Sequence, residues 1–119
     1  MKNFRDLMVW QKSHQLALAV YAITGSFPKE ETYGLTSQIR RSAGSIPANI
    51  AEGCGRGTGA ELRQFLQMAM GSASELEYHL PLARDLRFLK TTDYEPLARA
   101  VIEGKRMLAS LIRKLKAES

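Results

Sequence analysis

Leu35-Thr-Ser-Gln-Ile-Arg-Arg-Ser-Ala-Gly-Ser-Ile-Pro-Ala-Asn-Ile-Ala-Glu-Gly-Cys54 is the stretch that decides the fold. At about 100° per residue, Leu35, Ile39, Ala43, Ile46 and Ile50 share one helical stripe. The stripe keeps its phase across Pro47, so the spacing predicts a helix bent at the proline rather than ended by it. Pro47 removes one amide donor and crowds the carbonyl of Ala43, at about 3 kcal/mol in an ordinary helix. A polar stripe of Gln38, Arg41, Ser45, Asn49 and Glu52 runs beside the apolar one, and the remaining face is small: Ser37, Gly44, Ala48 and Ala51. Only Arg40, Arg41 and Glu52 are charged. A helix with so little charged surface has neighbours on most sides. Four helices alone hardly enclose it, which points to an oligomer.

Upstream, a first helix is expected from about Asp6 to Thr24, closed by Gly25-Ser26. It carries two apolar stripes, one of Leu7, Trp10, Ala17, Leu18 and Tyr21 and an opposite one of Val9, Leu16, Val20 and Ile23. One can face the core. The other then packs on a neighbouring subunit, or the helix is wedged between two others of its own chain. Phe27-Pro28-Lys-Glu-Glu31 opens the second helix, with proline and acidic residues suited to a first turn and Gly34 leaving the start open between Pro28 and Tyr33.

Downstream, Gly53-Cys-Gly-Arg-Gly-Thr-Gly59 is glycine-rich. It has the look of a phosphate cradle, with Arg56 and Arg63 nearby. Yet no strand precedes it and the Lys-Ser/Thr ending of a nucleotide loop is missing. A helix C-cap followed by a hairpin is the commoner reading. Thr58 and Glu61 form a capping box for a third helix, whose face is Leu62, Phe65, Leu66, Ala69, Ala73, Leu76 and Leu80. After Pro81 the apolar set shifts to Leu82, Leu86 and Leu89, the pattern of a kink. Thr91-Thr-Asp93 supplies caps for the fourth helix, from Thr92 with Glu95 or from Asp93 with Pro96 in the first turn. Its inner face is Tyr94, Leu97, Val101, Leu108, Leu111, Ile112 and Leu115. The expectation is an all-α chain: one domain over residues 1–119, an antiparallel up-down-up-down four-helix bundle.

At 119 residues and 13.3 kDa the chain suits one modest core. Net charge +5 permits an anionic partner. A single cysteine excludes an internal disulfide and fits a reducing compartment. The start, Met-Lys-Asn-Phe-Arg-Asp, lacks a signal-peptide core, and the apolar run from Leu16 to Ile23 falls far short of the ~20 residues that span a bilayer. A cytoplasmic protein without membrane contact is expected.

Gln38-Ile-Arg-Arg, Ser45-Ile-Pro-Ala-Asn-Ile-Ala-Glu-Gly53 and Arg56 closely resemble the signature of the four-helix-bundle family of 23S rRNA-intervening-sequence proteins. That family includes the accessory variability determinant of diversity-generating retroelements. The resemblance extends through Leu7, Trp10, Tyr21 and Phe27-Pro28, then Phe65, Ala69, Gly71-Ser72 and Glu75, and later Leu108. It implies a cytoplasmic bacterial protein, a homopentamer of antiparallel bundles, no established enzymatic activity, and a loosely defined role with nucleic acid.

Catalysis finds little support in the residues themselves. His14 and His79 have no partner at metal-ligand spacing, and there is no second cysteine. Cys54 has no histidine nearby in sequence, and Glu52, Glu75 and Glu77 suit ion pairs more readily than acid–base chemistry. No catalytic residue, metal ligand or cofactor is assigned. In the polar stripe of the second helix, Ser45 and Asn49 need hydrogen-bond partners, and Glu52 suits Arg56 one turn on or Arg41 of an adjacent helix. A structural role is the commoner fate of such groups; lining a pore or ligand site is the alternative.

The basic residues carry the functional lead. Arg99, Arg106 and Arg113 recur every seven residues on the side of the fourth helix away from its core, flanked by Lys105, Lys114 and Lys116. Lys2, Arg5 and Lys12 add charge near the start. Most charge runs are merely solvated faces. Five copies, however, would carry about +25, enough to hold a phosphate backbone without a base-reading motif. The expected nucleic-acid contacts are Arg99, Arg106, Arg113, Lys105 and Lys114, with Arg40, Arg41, Arg56 and Arg63 second. RNA and DNA are both open, and the rival partner is an acidic protein such as an RNA-processing or reverse-transcribing enzyme.

Overall fold

The computed structural model describes residues 3–118, which form four α-helices: α1 (Met8–Thr24), α2 (Leu35–Cys54), α3 (Gly59–Asp85) and α4 (Thr91–Ala117). Lys2 lies outside the described residues. Each helix packs on its neighbours in sequence and α1 closes on α4. The diagonal pairs do not approach, so the bundle is antiparallel and runs up-down-up-down. It measures 46 × 23 × 20 Å.

Helix α2 runs unbroken through Pro47, and Ile39, Ala43, Ile46 and Ile50 are almost fully buried. Continuous burial on both sides of the proline offsets its one lost hydrogen bond. Replacing it tests that balance. Pro47→Ala restores a donor for the Ala43 carbonyl, recovering up to about 3 kcal/mol. It also gives up two buried ring carbons, at about 0.8 kcal/mol each plus a small cavity. Circular dichroism should find unchanged helicity and chemical denaturation a gain near 1 kcal/mol; lost helicity would refute the account.

The structure settles the two stripes of α1. Val9, Leu16 and Val20 are buried with Ala17, whereas Leu18 and Tyr21 stay about half exposed. Helix α1 starts at Met8, later than expected, because a 3-10 turn over Phe4–Asp6 precedes it. The Asn3 side chain accepts from the Arg5 amide to cap that turn, and Gln11 Nε2 donates to the Arg5 carbonyl at 2.8 Å.

Helix α2 also starts later than the sequence suggests. Lys29–Glu31 is a separate 3-10 turn, and Glu31 Oε1 accepts from the Leu35 amide at 3.1 Å, placing a carboxylate at the positive end of the helix. At the other end the expected glycine cap is present, at Gly55. Gly53 lies inside α2, Gly55 closes the helix in right-handed geometry, and among the described residues no glycine has positive φ. Gly53 serves close approach instead. A Cβ there would meet Leu62 Cδ1 and Phe65 Cβ, each at 2.9 Å, and the Leu62 carbonyl at 3.3 Å.

Thr58 caps α3 as expected, accepting from the Glu61 amide at 3.1 Å while its hydroxyl donates to the Glu61 carboxylate. The shift after Pro81 does not occur. Leu62, Leu66, Ala69, Ala73, Leu76, Leu80 and Ala83 form one buried seam at alternating four- and three-residue steps, so the phase survives the proline. Leu86 is exposed, and Leu89 is buried in the loop beyond the helix. Helix α4 likewise begins ahead of its expected caps. Lys90 is the N-cap residue, its carbonyl accepting from the Asp93 and Tyr94 amides, and no side chain caps the helix. Pro96 therefore lies past the first turn. The carbonyl it leaves unpaired is that of Thr92, an exposed residue that water can reach.

Candidate nucleic-acid interface

The motif on α2 resolves into contacts within the chain. The Ser45 hydroxyl donates to the Arg41 carbonyl at 2.7 Å, and Asn49 Nδ2 to the Ser45 carbonyl at 2.9 Å. Arg56 pairs with Glu52 at 2.9 Å and lies over the Phe65 ring at 4.8 Å. Pro47 is buried, Gly53 admits α3, and Gln38 and Arg41 are exposed. Glu52 therefore takes Arg56, one turn on, and not Arg41. Ser45 and Asn49 thus bond back within α2, while Gly53 and Arg56 meet α3.

Arg40 has a structural position too. Its Nε donates to Thr24 Oγ1 at 2.8 Å and its Nη2 to the Tyr21 carbonyl at 3.2 Å, with the guanidinium over the Tyr21 ring. It thus occupies the Tyr21 carbonyl and the Thr24 hydroxyl in the last turn of α1, where a cation complements the helix dipole. Arg41 projects from α2, which is diagonal to α4 and does not approach it. Of the secondary candidates only Arg63, half-buried on α3, lies beside α4.

On α4 the heptad arginines sit where the periodicity places them. Arg99, Arg106 and Arg113 are exposed, on the side opposite the buried Leu108. Arg99 stands 4.0 Å from Glu95, whereas Arg106 and Arg113 have no ion-pair partner among the described residues. Lys105 leans toward α3 and pairs with Glu77 at 2.7 Å. Lys114 is exposed on the side toward α1, beside Leu7. Lys12 is bridged to Glu103 at 3.1 Å, and Arg5 lies over the Phe4 ring.

Between the start of α3 and the end of α4 lies a cleft of about 220 Å3, lined by Ala60, Arg63, Gln64, Gln67, Ile112 and Lys116. Sequence reasoning did not single out Gln64 and Gln67. They carry no charge, and only their place one turn apart beside Arg63 could have signalled them. Arg84, Arg87 and Lys90 around the α3–α4 loop were also passed over; Arg84 pairs there with Asp85 at 3.0 Å.

The groups considered for catalysis do not converge. His14 stacks on Trp10 with centroids 4.9 Å apart, and His79 is buried near the far end of α3 from Cys54. Burial pushes the Cys54 thiol above its ordinary range, so it is held protonated and is a weak nucleophile. No cluster of three or more His, Cys, Asp or Glu able to hold a metal occurs among the described residues. No helix among them is long and apolar enough to cross a membrane.

The family model of 23S rRNA-intervening sequence proteins matches residues 5–110. Among solved structures, a protein with unknown function from the S23 ribosomal protein family of Bacteroides thetaiotaomicron VPI-5482 superposes with a TM-score of 0.79 at 28% identity, covering 88% of this chain and 98% of that one. A comparison with curated proteins finds no match.

Proposed function

Because the chain belongs to the 23S rRNA-intervening sequence protein family, we propose that it is a non-enzymatic, cytoplasmic accessory or scaffold protein that binds RNA or DNA electrostatically as a homopentamer. The observation that carries the binding reading is the exposed row Arg99, Arg106 and Arg113, two of whose members have no ion-pair partner among the described residues. Unpaired guanidinium groups along one helix hold phosphate by charge and read no bases. Selectivity for sequence is accordingly low.

Two residues of α1 left outside the core support assembly. Leu18 and Tyr21, half exposed on a helix whose opposite side is buried, give a neighbouring copy apolar surface to cover. Light scattering at micromolar concentration should give five times the 13.3 kDa chain mass. A stable monomer would refute assembly, and a different closed oligomer would refute the stoichiometry alone. Binding itself is tested by salt titration against one RNA and one DNA. Affinity should fall steeply and similarly for both as salt rises; no binding at low salt would transfer the role to an acidic protein partner.

A further inference from the structure

We propose that the α3–α4 cleft seats the sugar–phosphate backbone of a single nucleic-acid strand, led into it by the arginine row of α4. This rests on the nucleic-acid reading above and adds a place and a strand form. Among the described residues that line the cleft, Arg63 and Lys116 carry positive charge, Gln64 and Gln67 carry carboxamides, and none carries a carboxylate. By contrast, Glu103 lies in the wider α1–α4 groove and Asp85 in the cleft beside the α3–α4 loop. A phosphodiester asks for this combination. A guanidinium can hold two phosphate oxygens at once, an ammonium adds a point charge, and a carboxamide both donates and accepts, matching phosphate and sugar oxygens alike.

The arginine row is geometrically continuous with this cleft. Each seven-residue step on an α-helix falls about 20° short of two full turns. From Arg99 to Arg113 the row therefore turns about 40° around α4 while advancing about 21 Å. The turn is toward α3, the side on which Lys105 reaches Glu77 and Ile112 and Lys116 line the cleft. Arg113 thus delivers a bound backbone to Lys116 and Arg63.

Flexibility selects the strand form. The cleft, about 220 Å3, has room for little more than one phosphate with its sugar, and a flexible single strand can bend into it. A duplex, whose persistence length is about 150 bp, cannot bend into it over so short a span, so it rests on the outer arginines and leaves the cleft empty. None of the described residues lining the cleft is aromatic, so they offer no stacking surface to bases.

The test compares an oligouridylate strand, an oligothymidylate strand and a duplex of equal length by fluorescence polarisation. The chief variant is Gln64→Ala with Gln67→Ala, which leaves net charge unchanged at two exposed positions. It should bind both single strands about tenfold more weakly, as expected from two lost hydrogen bonds, with duplex affinity and salt slope unaltered. Arg63→Gln should weaken single-strand binding and also lower its slope by about 0.7. Lys29→Gln, removing the same charge from the turn before α2 at the opposite end of the bundle, should do neither. Wild-type single-strand affinity in the double glutamine variant, or an equal loss on duplex, overturns the cleft while leaving the arginine row standing. Failure of the wild type to bind any of the three at low salt overturns both.

Discussion

Gly53→Val is expected to destabilise the protein by about 1–3 kcal/mol, the range for forcing extra carbon into a packed core. The Cβ would sit 2.9 Å from both Leu62 Cδ1 and Phe65 Cβ, and 3.3 Å from the Leu62 carbonyl. Leu62 Cδ1 belongs to a flexible side chain, but that side chain is itself buried. Phe65 Cβ is tied to the backbone of α3 and can yield only if the helices separate. Alanine makes the same contacts without the two further methyl groups, and it recovers about 1 kcal/mol of helix propensity over glycine, so Gly53→Ala should lose less. Gly44, in the same helix, is the internal control. A Cβ there meets nothing within 4 Å, so Gly44→Ala should stabilise by about 0.5–1 kcal/mol. Denaturant melts at one protein concentration measure all three. A Gly53→Val protein as stable as wild type would refute the close-approach role. A loss at Gly44 would mark that position as covered by another subunit.

The same glycine marks where sequence stopped being informative. Helical periodicity carried α2 through Pro47 and the core face of α4 to its end, because burial at 3.6-residue spacing outweighs a single missing hydrogen bond. It could not separate Gly53 as a C-cap from Gly53 as a contact, since that depends on Leu62 and Phe65 of another helix. The two stripes of α1 were equally plausible inner faces until α2 and α4 were placed against them. The leucines after Pro81 read as a new face only because Ala83 is small; in the packed helix it is fully buried and continues the seam.

Charge was legible as a pattern and not as a set of partners. Arg40 finds Thr24 and Tyr21 sixteen and nineteen residues away, and Lys105 finds Glu77 across twenty-eight. No local rule names such pairs, and they decide which cations are already engaged. Exposed pairs of this kind contribute only about 0–1 kcal/mol, so even an engaged lysine can exchange its carboxylate for a phosphate. Among the described residues, Arg106 and Arg113 have no carboxylate to exchange. They were identified by heptad spacing alone, a signal that needs no tertiary knowledge.

Replacing Arg99, Arg106 and Arg113 together by glutamine should flatten the salt dependence of nucleic-acid binding while leaving oligomer size unchanged. Each neutralised phosphate contributes about −0.7 to the log–log slope on a single strand and about −0.9 on duplex DNA. Three lost contacts therefore lower the slope by about 2 on single strands, a hundredfold difference in affinity across a tenfold change in salt. The three positions should not contribute equally. Arg106 and Arg113 bind phosphate without breaking an ion pair, whereas Arg99 must first leave Glu95, 4.0 Å away, and its removal exposes that carboxylate to the incoming strand. Arg99→Gln alone should accordingly reduce the slope less, while repulsion from Glu95 weakens binding at every salt concentration. Lysine at all three positions should keep most of the affinity, because a backbone contact needs charge more than a planar fork. All three arginines are exposed on the side of α4 away from Leu108, so the bundle should fold and assemble as before. Titrations of wild type, triple glutamine and triple lysine variants against one RNA and one DNA decide the matter. Equal slopes for wild type and triple glutamine would clear the row of any part in binding, and a triple lysine protein that fails to bind would mean the contact depends on guanidinium geometry and not on charge.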